Sequence, residues 1–544
     1  MKYIRWFLNA ARPYSLRLAV TMLCHILIAG SAIGFVYVSK KLVDIAVAVM
    51  SGSDDTDSIM QWAVAMVAIV LFRISLNALR SYLQTTTEIK LKNRLRKRLF
   101  DTLLHLQSDG GSRHHSGDIL NRMQEDVRVV SSSLAVSIPN IIGTSLQFIA
   151  AFVFLLLLDL RLAVVIIIVV PVGMLIGKFI TSRVRNLTLD IRNSDSRVQS
   201  HLQESIQNLQ VLQSLEYTDA SSAALEGLQG NLYGNELRRT RFSVISRVFM
   251  SMALQAGHVI AFIWGVAGIS RGTVTYGMMT AFLQLIGQIQ RPLVEMSSQL
   301  PALIHSTASI DRLIELESLP CEEMTESQLL DGVVGIRMKN VDFAYPDSVE
   351  NVLTEFSYDF TPGSRTAIVG PTGVGKSTLI RLLLSLLKPQ KGNIEFYNGM
   401  LSADASSATR ANLVYVPQGN TLFSGSIRDN LFMGNSEATE DQMKDALYTA
   451  AADFVYDLPS GLDTQCFEAG AGLSEGQAQR IAIARALLRP GSILLLDEFS
   501  SALDARTETT LMDRLTSSLP DHTMIFITHR EKIIDYCDKI LRMS

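Results

Sequence analysis

Apolar runs dominate the first half of the chain. Six of them, at about 18–39, 59–79, 134–158, 160–180, 248–269 and 276–297, approach the length at which an α-helix crosses hydrocarbon. Buried helices of a soluble protein are the competing explanation, and so many long runs weigh against it. Only Asp159-Leu160-Arg161 separates the third run from the fourth, which predicts a tight helical hairpin. Beyond residue 335 the pattern changes. Short apolar runs such as Thr366–Val369, Ile493–Leu496 and Ile525–Thr528 alternate with helical stretches, as in an α/β domain.

The polar residues between the runs assign an orientation. The connection 80–133 carries Arg80, Lys90, Lys92, Arg94, Arg96, Lys97, Arg98 and Arg113, and the connection 181–247 is similarly rich in arginine. Basic connections stay in the cytoplasm. Both long connections and both termini are therefore expected there, although Lys40 and Lys41 fall on the other side. The acidic connection from Ser51 to Ser58 also falls there. The long connections keep a helical pattern with few breaks, so they read as cytoplasmic extensions of the spanning helices. Breaks near Gly110–Gln124 and Asn208–Ala220 suit either a short transverse helix or an ordinary hairpin turn. Residues 1–17 mix Lys2, Arg5, Arg12 and Arg17 with Trp6 and Phe7, a mixture that suits a helix on the membrane surface. A cleaved secretory leader is the weaker reading, because the apolar run continues past Ala29-Gly30-Ser31-Ala32.

One stripe within the last run is polar: Gln284, Gln288, Arg291, Glu295 and Gln299 recur at helical spacing. Such a stripe lines a cavity, faces another helix, or holds an i,i+4 pair between Arg291 and Glu295.

Composition changes the picture in two places. A mean hydropathy of +0.23 excludes an ordinary soluble enzyme. A net charge of −3 gives no support for a nucleic-acid partner. The cysteines, Cys24, Cys321, Cys466 and Cys537, are scattered, so neither a zinc site nor a disulfide framework is indicated.

The most informative stretch is Gly370-Pro371-Thr372-Gly373-Val374-Gly375-Lys376-Ser377-Thr378, which fits G-x-x-x-x-G-K-[ST]. A strand precedes it, and a helical stretch, Leu379–Leu387, follows. Glycines let successive N–H groups face a phosphate, and the helix N-terminus adds positive potential there. Lys376 brings a charge to the outer phosphates and Ser377 a hydroxyl to Mg²⁺. Further along, Ile493–Leu496 ends in Asp497-Glu498. A buried strand ending in two carboxylates suits a cation at Asp497 and a water activated by Glu498. Tyr345, before a proline turn, suits either packing or stacking on an adenine. Ser474 and Gln477 have capping-box spacing. That helix end is an ordinary cap, or a second phosphate site serving a partner's nucleotide.

Taken together, these residues resemble ATP-binding cassette transporters, specifically exporters with membrane and nucleotide-binding domains fused in one chain. Gly370–Thr378 resembles the family's Walker A, Tyr415-Val416-Pro417-Gln418 its Q-loop, and Leu473–Gln477 its signature. Leu494–Glu498 resembles its Walker B, Ser501-Ala502-Leu503-Asp504 its D-loop, and His529 its switch histidine. Phe467-Glu468-Ala469-Gly470 in part resembles the exporter segment that touches the membrane domain, and Gly117–Arg122 in the first cytoplasmic connection is also similar to that family.

The resemblance implies a six-helix, all-α transmembrane domain over 1–320, a linker over 321–335 and an α/β P-loop ATPase domain over 336–544. It implies ATP and Mg²⁺ as cofactors. Glu498, His529 and Gln418 are the expected catalytic residues. ATP is expected on Tyr345, Gly370, Thr372, Gly373, Gly375, Lys376, Ser377 and Thr378. From the facing copy it would meet Ser474, Gly476, Gln477 and Asp504. Mg²⁺ is expected on Ser377, Gln418 and Asp497. The partner is a second half-transporter, and a complete motif set makes a homodimer self-sufficient. The implied function is export of a hydrophobic or amphipathic compound from an integral membrane protein of the plasma (inner) membrane. The alternatives are a regulatory or heterodimer-partner role, and a soluble cassette acting on nucleic acid, which the apolar runs oppose. One departure stands out: Glu475 replaces a glycine of the family's common signature.

Overall fold

The computed structural model describes residues 2–50, 56–107, 116–322, 326–345, 350–467 and 472–544. The start of the acidic connection at Ser51, the beginning of the break at Gly110 and the segment Glu468–Gly470 lie outside them. The chain divides into two compact units, Met1–Leu99 with Gly117–Glu317, and Phe100–Ser116 with Ser318–Ser544.

The first unit is entirely helical: α1 (Lys2–Ala11), α2 (Ser15–Met50), α3 (Thr56–Leu104), α4 (116–158), α5 (Leu160–Gln207), α6 (Leu209–Ser214), α7 (Thr218–Ser270) and α8 (Tyr276–Glu317). Each apolar run of the sequence lies inside a long helix. Among the described residues, Arg5–Met50, Asp57–Leu104 and Gly117–Leu158 are long and apolar enough to cross a membrane, and Gln255–Ser270 is a shorter apolar helix. On α3, Val64, Val67, Leu71 and Ile74 are exposed, which places apolar surface outward where lipid would lie. The inner faces pack Val36, Leu155, Leu162, Phe282, Leu285 and Ile289 together.

The helical extensions are continuous. α3 runs on to Leu104, α5 to Gln207, and α7 starts at Thr218. The break near Asn208 contains a separate six-residue helix, α6, with no buried residue. The break near Gly110 differs. Its described part, from Ser116, is the first turn of α4 and no separate transverse helix, because helical bonding continues through π-turns at Arg122–Asp126 and Ser133–Ser137.

Polar side chains tie the helices to one another. Asp159 ends α4 and caps α5 by accepting from the N–H groups of Arg161 and Leu162. Its other oxygen accepts from the Trp264 indole at 3.0 Å. The polar stripe of α8 splits by position. Gln284 donates to Ser39 Oγ at 2.9 Å and Gln288 to the Ala32 carbonyl at 3.2 Å, both on α2. Arg291 instead pairs with Glu295 one turn away. In the extensions, buried Asp126 of α4 takes a two-pronged ion pair from Arg312 and a hydrogen bond from Ser309, both on α8.

The second unit carries two main sheets. Strands β1 (Gly335–Phe343), β2 (Leu353–Phe360), β4 (Lys391–Tyr397) and β5 (Ser402–Asp404) form an antiparallel sheet in the order β2-β1-β4-β5. β3 (Arg365–Val369), β6 (Leu413–Val416), β9 (Ile493–Asp497), β10 (Thr523–Ile527) and β11 (Lys539–Arg542) form a parallel sheet ordered β11-β3-β10-β9-β6. A two-stranded ribbon, β7 (Gly425–Ser426) with β8 (Gln465–Cys466), stands apart. The central parallel strands β9 and β10 are buried on both faces, as their unbroken apolar runs require. Helices α9 (Lys376–Leu383), α10 (Ile427–Phe432), α11 (Glu440–Thr449), α12 (Glu475–Leu487), α13 (Ala505–Ser518) and α14 (Glu531–Ile534) complete the unit. In an open parallel sheet, ligands bind at the carboxyl ends of the strands. Here those ends carry Val369, Val416, Asp497 and Ile527.

Candidate functional site

The phosphate loop begins where β3 ends. Gly373 and Gly375 have φ of +89° and +103°, values a side chain disfavours. At Gly375 a Cβ would also stand 2.8 Å from Val352. Helix α9 begins at once, at Lys376, earlier than its apolar pattern suggested, because left-handed Gly375 turns the chain into the helix. Ser377 is exposed at this helix end, while Thr378 is buried. The Thr378 hydroxyl meets the Tyr345 hydroxyl at 3.2 Å, and Arg381 donates to the same phenol at 3.2 Å. Tyr345 is thus held beside the loop, its ring edge-on to Phe343 at 5.1 Å.

Four residues from four segments converge next to this loop. The Lys376 ammonium donates to the Gly370 carbonyl at 2.6 Å and lies 2.8 Å from His529 Nε2. His529 Nε2 lies 3.6 Å from Glu498 Oε1. Gln418 donates from Nε2 to Glu498 Oε2 at 2.6 Å. Parallel pairing of β10 with β3 and β9, and of β6 with β9, accounts for the convergence, since it brings all four strand ends to one edge.

Glu498 adopts φ of +43°, an unfavourable backbone for a non-glycine residue. Its N–H donates to the Ile527 carbonyl at 3.0 Å, which holds the strained peptide in place. Beside it, burial and the neighbouring Glu498 charge push the Asp497 carboxyl up to about 6, against a smaller downward pull from Lys376. A half-buried acid beside a second acid fits a divalent cation. Ser377, exposed at the start of α9, and Gln418, bonded through its nitrogen to Glu498, are the other residues expected to hold Mg²⁺.

The remaining expected residues form a second cluster. Ser474 and Gln477 make a reciprocal capping box on α12: Ser474 Oγ accepts from the Gln477 N–H at 3.2 Å, and Gln477 Oε1 from the Ser474 N–H at 2.9 Å. Glu475 follows, with its side chain exposed. Gly476 lies against the 501–504 loop, where a Cβ would be 2.7 Å from the Ala502 carbonyl oxygen. Asp504 caps α13, accepting from the N–H groups of Arg506 and Thr507 and from the Thr507 hydroxyl, contacts with Thr507 foremost in holding its carboxyl below the usual range. The bonds of Ser474, Gln477 and Asp504 thus run within their own turns.

Two residues that the sequence reading did not single out join the clusters. Buried Gln479 donates to the Glu498 carbonyl at 3.4 Å. Arg530, next to His529, donates to the carbonyls of Ser501 and Leu503 and pairs with buried Glu508 at 2.8 Å. Its position after His529 was the only signal available. Glu508 is four residues beyond Asp504 on a helix whose burial only the fold reveals.

Residues 18–293 match the family model for the ABC transporter transmembrane region, and residues 353–501 match that for ABC transporter. The chain belongs to the ABC transporter family. It is 28% identical over 557 residues to the ABC multidrug transporter mdr2 of Aspergillus fumigatus, covering 99% of this chain and 69% of that one. It is also 28% identical over 513 residues to the ATP-dependent lipid A-core flippase 2 of Colwellia psychrerythraea, covering 93% of this chain and 87% of that one. The fold matches the structure of a bacterial Atm1-family ABC exporter with ATP bound, at a TM-score of 0.80 and 25% identity, covering 97% of this chain and 93% of that chain. The protein is an integral membrane ATPase whose hydrolysis of ATP drives export, and half-transporters of this kind work as dimers.

Proposed function

We propose that two copies of this chain close on two ATP molecules, each lying between Gly370–Thr378 of one copy and the Ser474–Gln477 turn of the other. The observation that carries this is the meeting of Lys376, His529, Glu498 and Gln418 at one sheet edge. Lys376 leaves the Gly370 carbonyl to meet the outer phosphates. Glu498, steered by Gln418, accepts a proton from the attacking water, and His529 holds the γ-phosphate side of the site. Mg²⁺ on Ser377, Gln418 and Asp497 would supply charge neutralisation between the phosphates. Residues 1–320 form the membrane domain, crossing six times with termini and ATPase domain cytoplasmic, as the basic connections favour. Residues 336–544 form the ATPase domain.

The substrate class is a hydrophobic or amphipathic compound, supported by the multidrug and lipid activities named for the relatives. A heterodimer in which this chain regulates a partner is the second reading. The exposed Glu475 favours it, because a charge beside the signature turn is unfavourable to a facing phosphate.

Purified alone and reconstituted in liposomes, the chain should hydrolyse ATP and accumulate a lipophilic dye, Hoechst 33342, in vesicles with the ATPase domain outward. ATPase activity without accumulation of dye or of a labelled lipid would count against export by this chain alone. Activity appearing only with a second half-transporter would favour the heterodimer.

A further inference from the structure

The segment between α8 and β1 is stitched to one turn of the ATPase unit. That turn, Thr409–Asn412, leads directly into β6, whose far end carries Gln418. Arg410 sits in it with a half-buried guanidinium. Its Nη atoms form a two-pronged ion pair with Glu322, at 2.8 and 3.1 Å. Its Nε donates to the Leu384 carbonyl at 2.8 Å, and one Nη reaches the Ser385 carbonyl at 3.3 Å. Leu384 and Ser385 close the C-terminal end of α9, the helix that starts at Lys376. Carbonyls at a helix C-terminus have no partner within the helix and carry negative potential, so an arginine there is held firmly.

Further bonds join the same turn to the same segment. Buried Asn412 donates to the Gln328 carbonyl and accepts from the Leu330 N–H, and the Gln328 N–H donates to the Ala408 carbonyl. Upstream, Glu322 N–H donates to the His105 carbonyl and Gln107 N–H to the Pro320 carbonyl, forming a small antiparallel bridge at Leu106 and Cys321. Residues 105–107 follow α3 directly, and 318–322 follow α8 directly. A cavity of about 200 Å³, lined by Gln107, Glu322, Ser385, Lys388, Pro389 and Ser406 among others, lies at this joint. Beside this cavity the strap is held at Glu322 by directed polar bonds, and at Leu330 by packing in the core.

We infer that Arg410 is a positioning residue that transmits nucleotide occupancy to the chain entering and leaving the membrane helices. It holds the far end of the phosphate-loop helix with one part of its guanidinium and Glu322 with the other. A displacement of α9 on meeting ATP, or of β6 through Gln418, moves Glu322 and the bridged residues with it. This link adds a covalently continuous route from the nucleotide to α3 and α8. It rests on the reading that ATP turnover drives export.

The test uses the full chain in phosphatidylethanolamine–phosphatidylglycerol liposomes. Exposed Cys321, within the bridge, reports on the strap through its rate of maleimide labelling, read at that residue by peptide mass spectrometry. In the wild type, Mg·ATP with vanadate should change this rate by about fivefold, the lower end of ordinary coupling between sites. Glu322→Gln keeps the shape and breaks the ion pair. Arg410→Lys keeps the charge and loses the fork. Both should bind ATP with near wild-type affinity, and in both the labelling rate should become indifferent to nucleotide. A purely structural clip would lower the melting temperature and leave the nucleotide response intact. Retention of that response in Glu322→Gln, or its absence from a wild type that hydrolyses ATP, would overturn the inference. A wild type without ATPase activity would remove both this inference and export by this chain alone.

Discussion

Gln418 Nε2 donates to Glu498 Oε2 at 2.6 Å, joining the ends of two adjacent parallel strands, β6 and β9. The bond orients the carboxylate of a residue whose strained backbone, at φ +43°, is held by the Ile527 carbonyl. In the proposed site the same glutamine would orient the base and present its amide oxygen to a cation.

Glu498→Gln should bind ATP normally and hydrolyse it about 10²–10⁴-fold more slowly, the usual worth of a positioned general base. Single-turnover hydrolysis beside a nucleotide-binding titration checks this. Near-normal turnover would take Glu498 out of the proton-transfer role.

Two neighbours in the signature turn should respond in opposite ways. Gly476→Ala places a methyl 2.7 Å from the Ala502 carbonyl, so the 501–504 loop must move. A displacement of that order should cost about tenfold or more in ATPase activity. Glu475→Gly removes an exposed side chain and should alter activity only a few-fold, with a small loss of helix stability through the vanished cap-end charge. A rise of orders of magnitude in Glu475→Gly would instead mark the native site as crippled.

With Asp497 as a proposed Mg²⁺ ligand, the Mg²⁺ dependence should be sensitive to pH. Its folded value of about 6 lies above the ordinary aspartate value of 3.8. The proton is therefore retained near pH 5 and must leave for a cation to bind. The Mg²⁺ concentration giving half-maximal ATPase should rise as pH falls through about 6, and Asp497→Asn, which removes an expected ligand, should lower ATPase activity at every pH. The linked stability has the opposite sense. Without metal, this group's contribution is fully present below the unfolded value and lost as pH rises through about 6, so melting with EDTA should improve on mild acidification.

Asp159 joins the helical hairpin to α7 through Trp264. Asp159→Ala removes the α5 cap and the indole's acceptor. It should cost about 1 kcal/mol from the cap alone and lower the melting temperature in detergent. The Trp264 contribution to fluorescence should shift with it, whereas Arg161→Ala should leave that emission in place.

The positions of the long helices were written into the sequence because the membrane imposes a length and a polarity on each segment. The phosphate loop was equally legible, since its glycines, lysine and serine do their work within a few consecutive residues. The hairpin at Asp159 belongs with these local features. The stripe on α8 shows where such reading stops. Periodicity placed Gln284 and Gln288 on one face, but only the packing of α2 against α8 gave them Ser39 and the Ala32 carbonyl as partners.

What tertiary structure alone decided is the company each strand end keeps. Gln418, Glu498 and His529 are separated by long stretches of chain, and parallel pairing, a non-local event, brings Gln418 to Glu498, His529 beside Glu498, and Lys376 to His529. Arg530 on the 501–504 loop, Gly476 against Ala502 and Arg410 between Glu322 and the end of α9 belong to the same category. Their chemistry depends on neighbours brought by folding. An isolated arginine or glycine carries no pattern in a sequence from which those neighbours can be read.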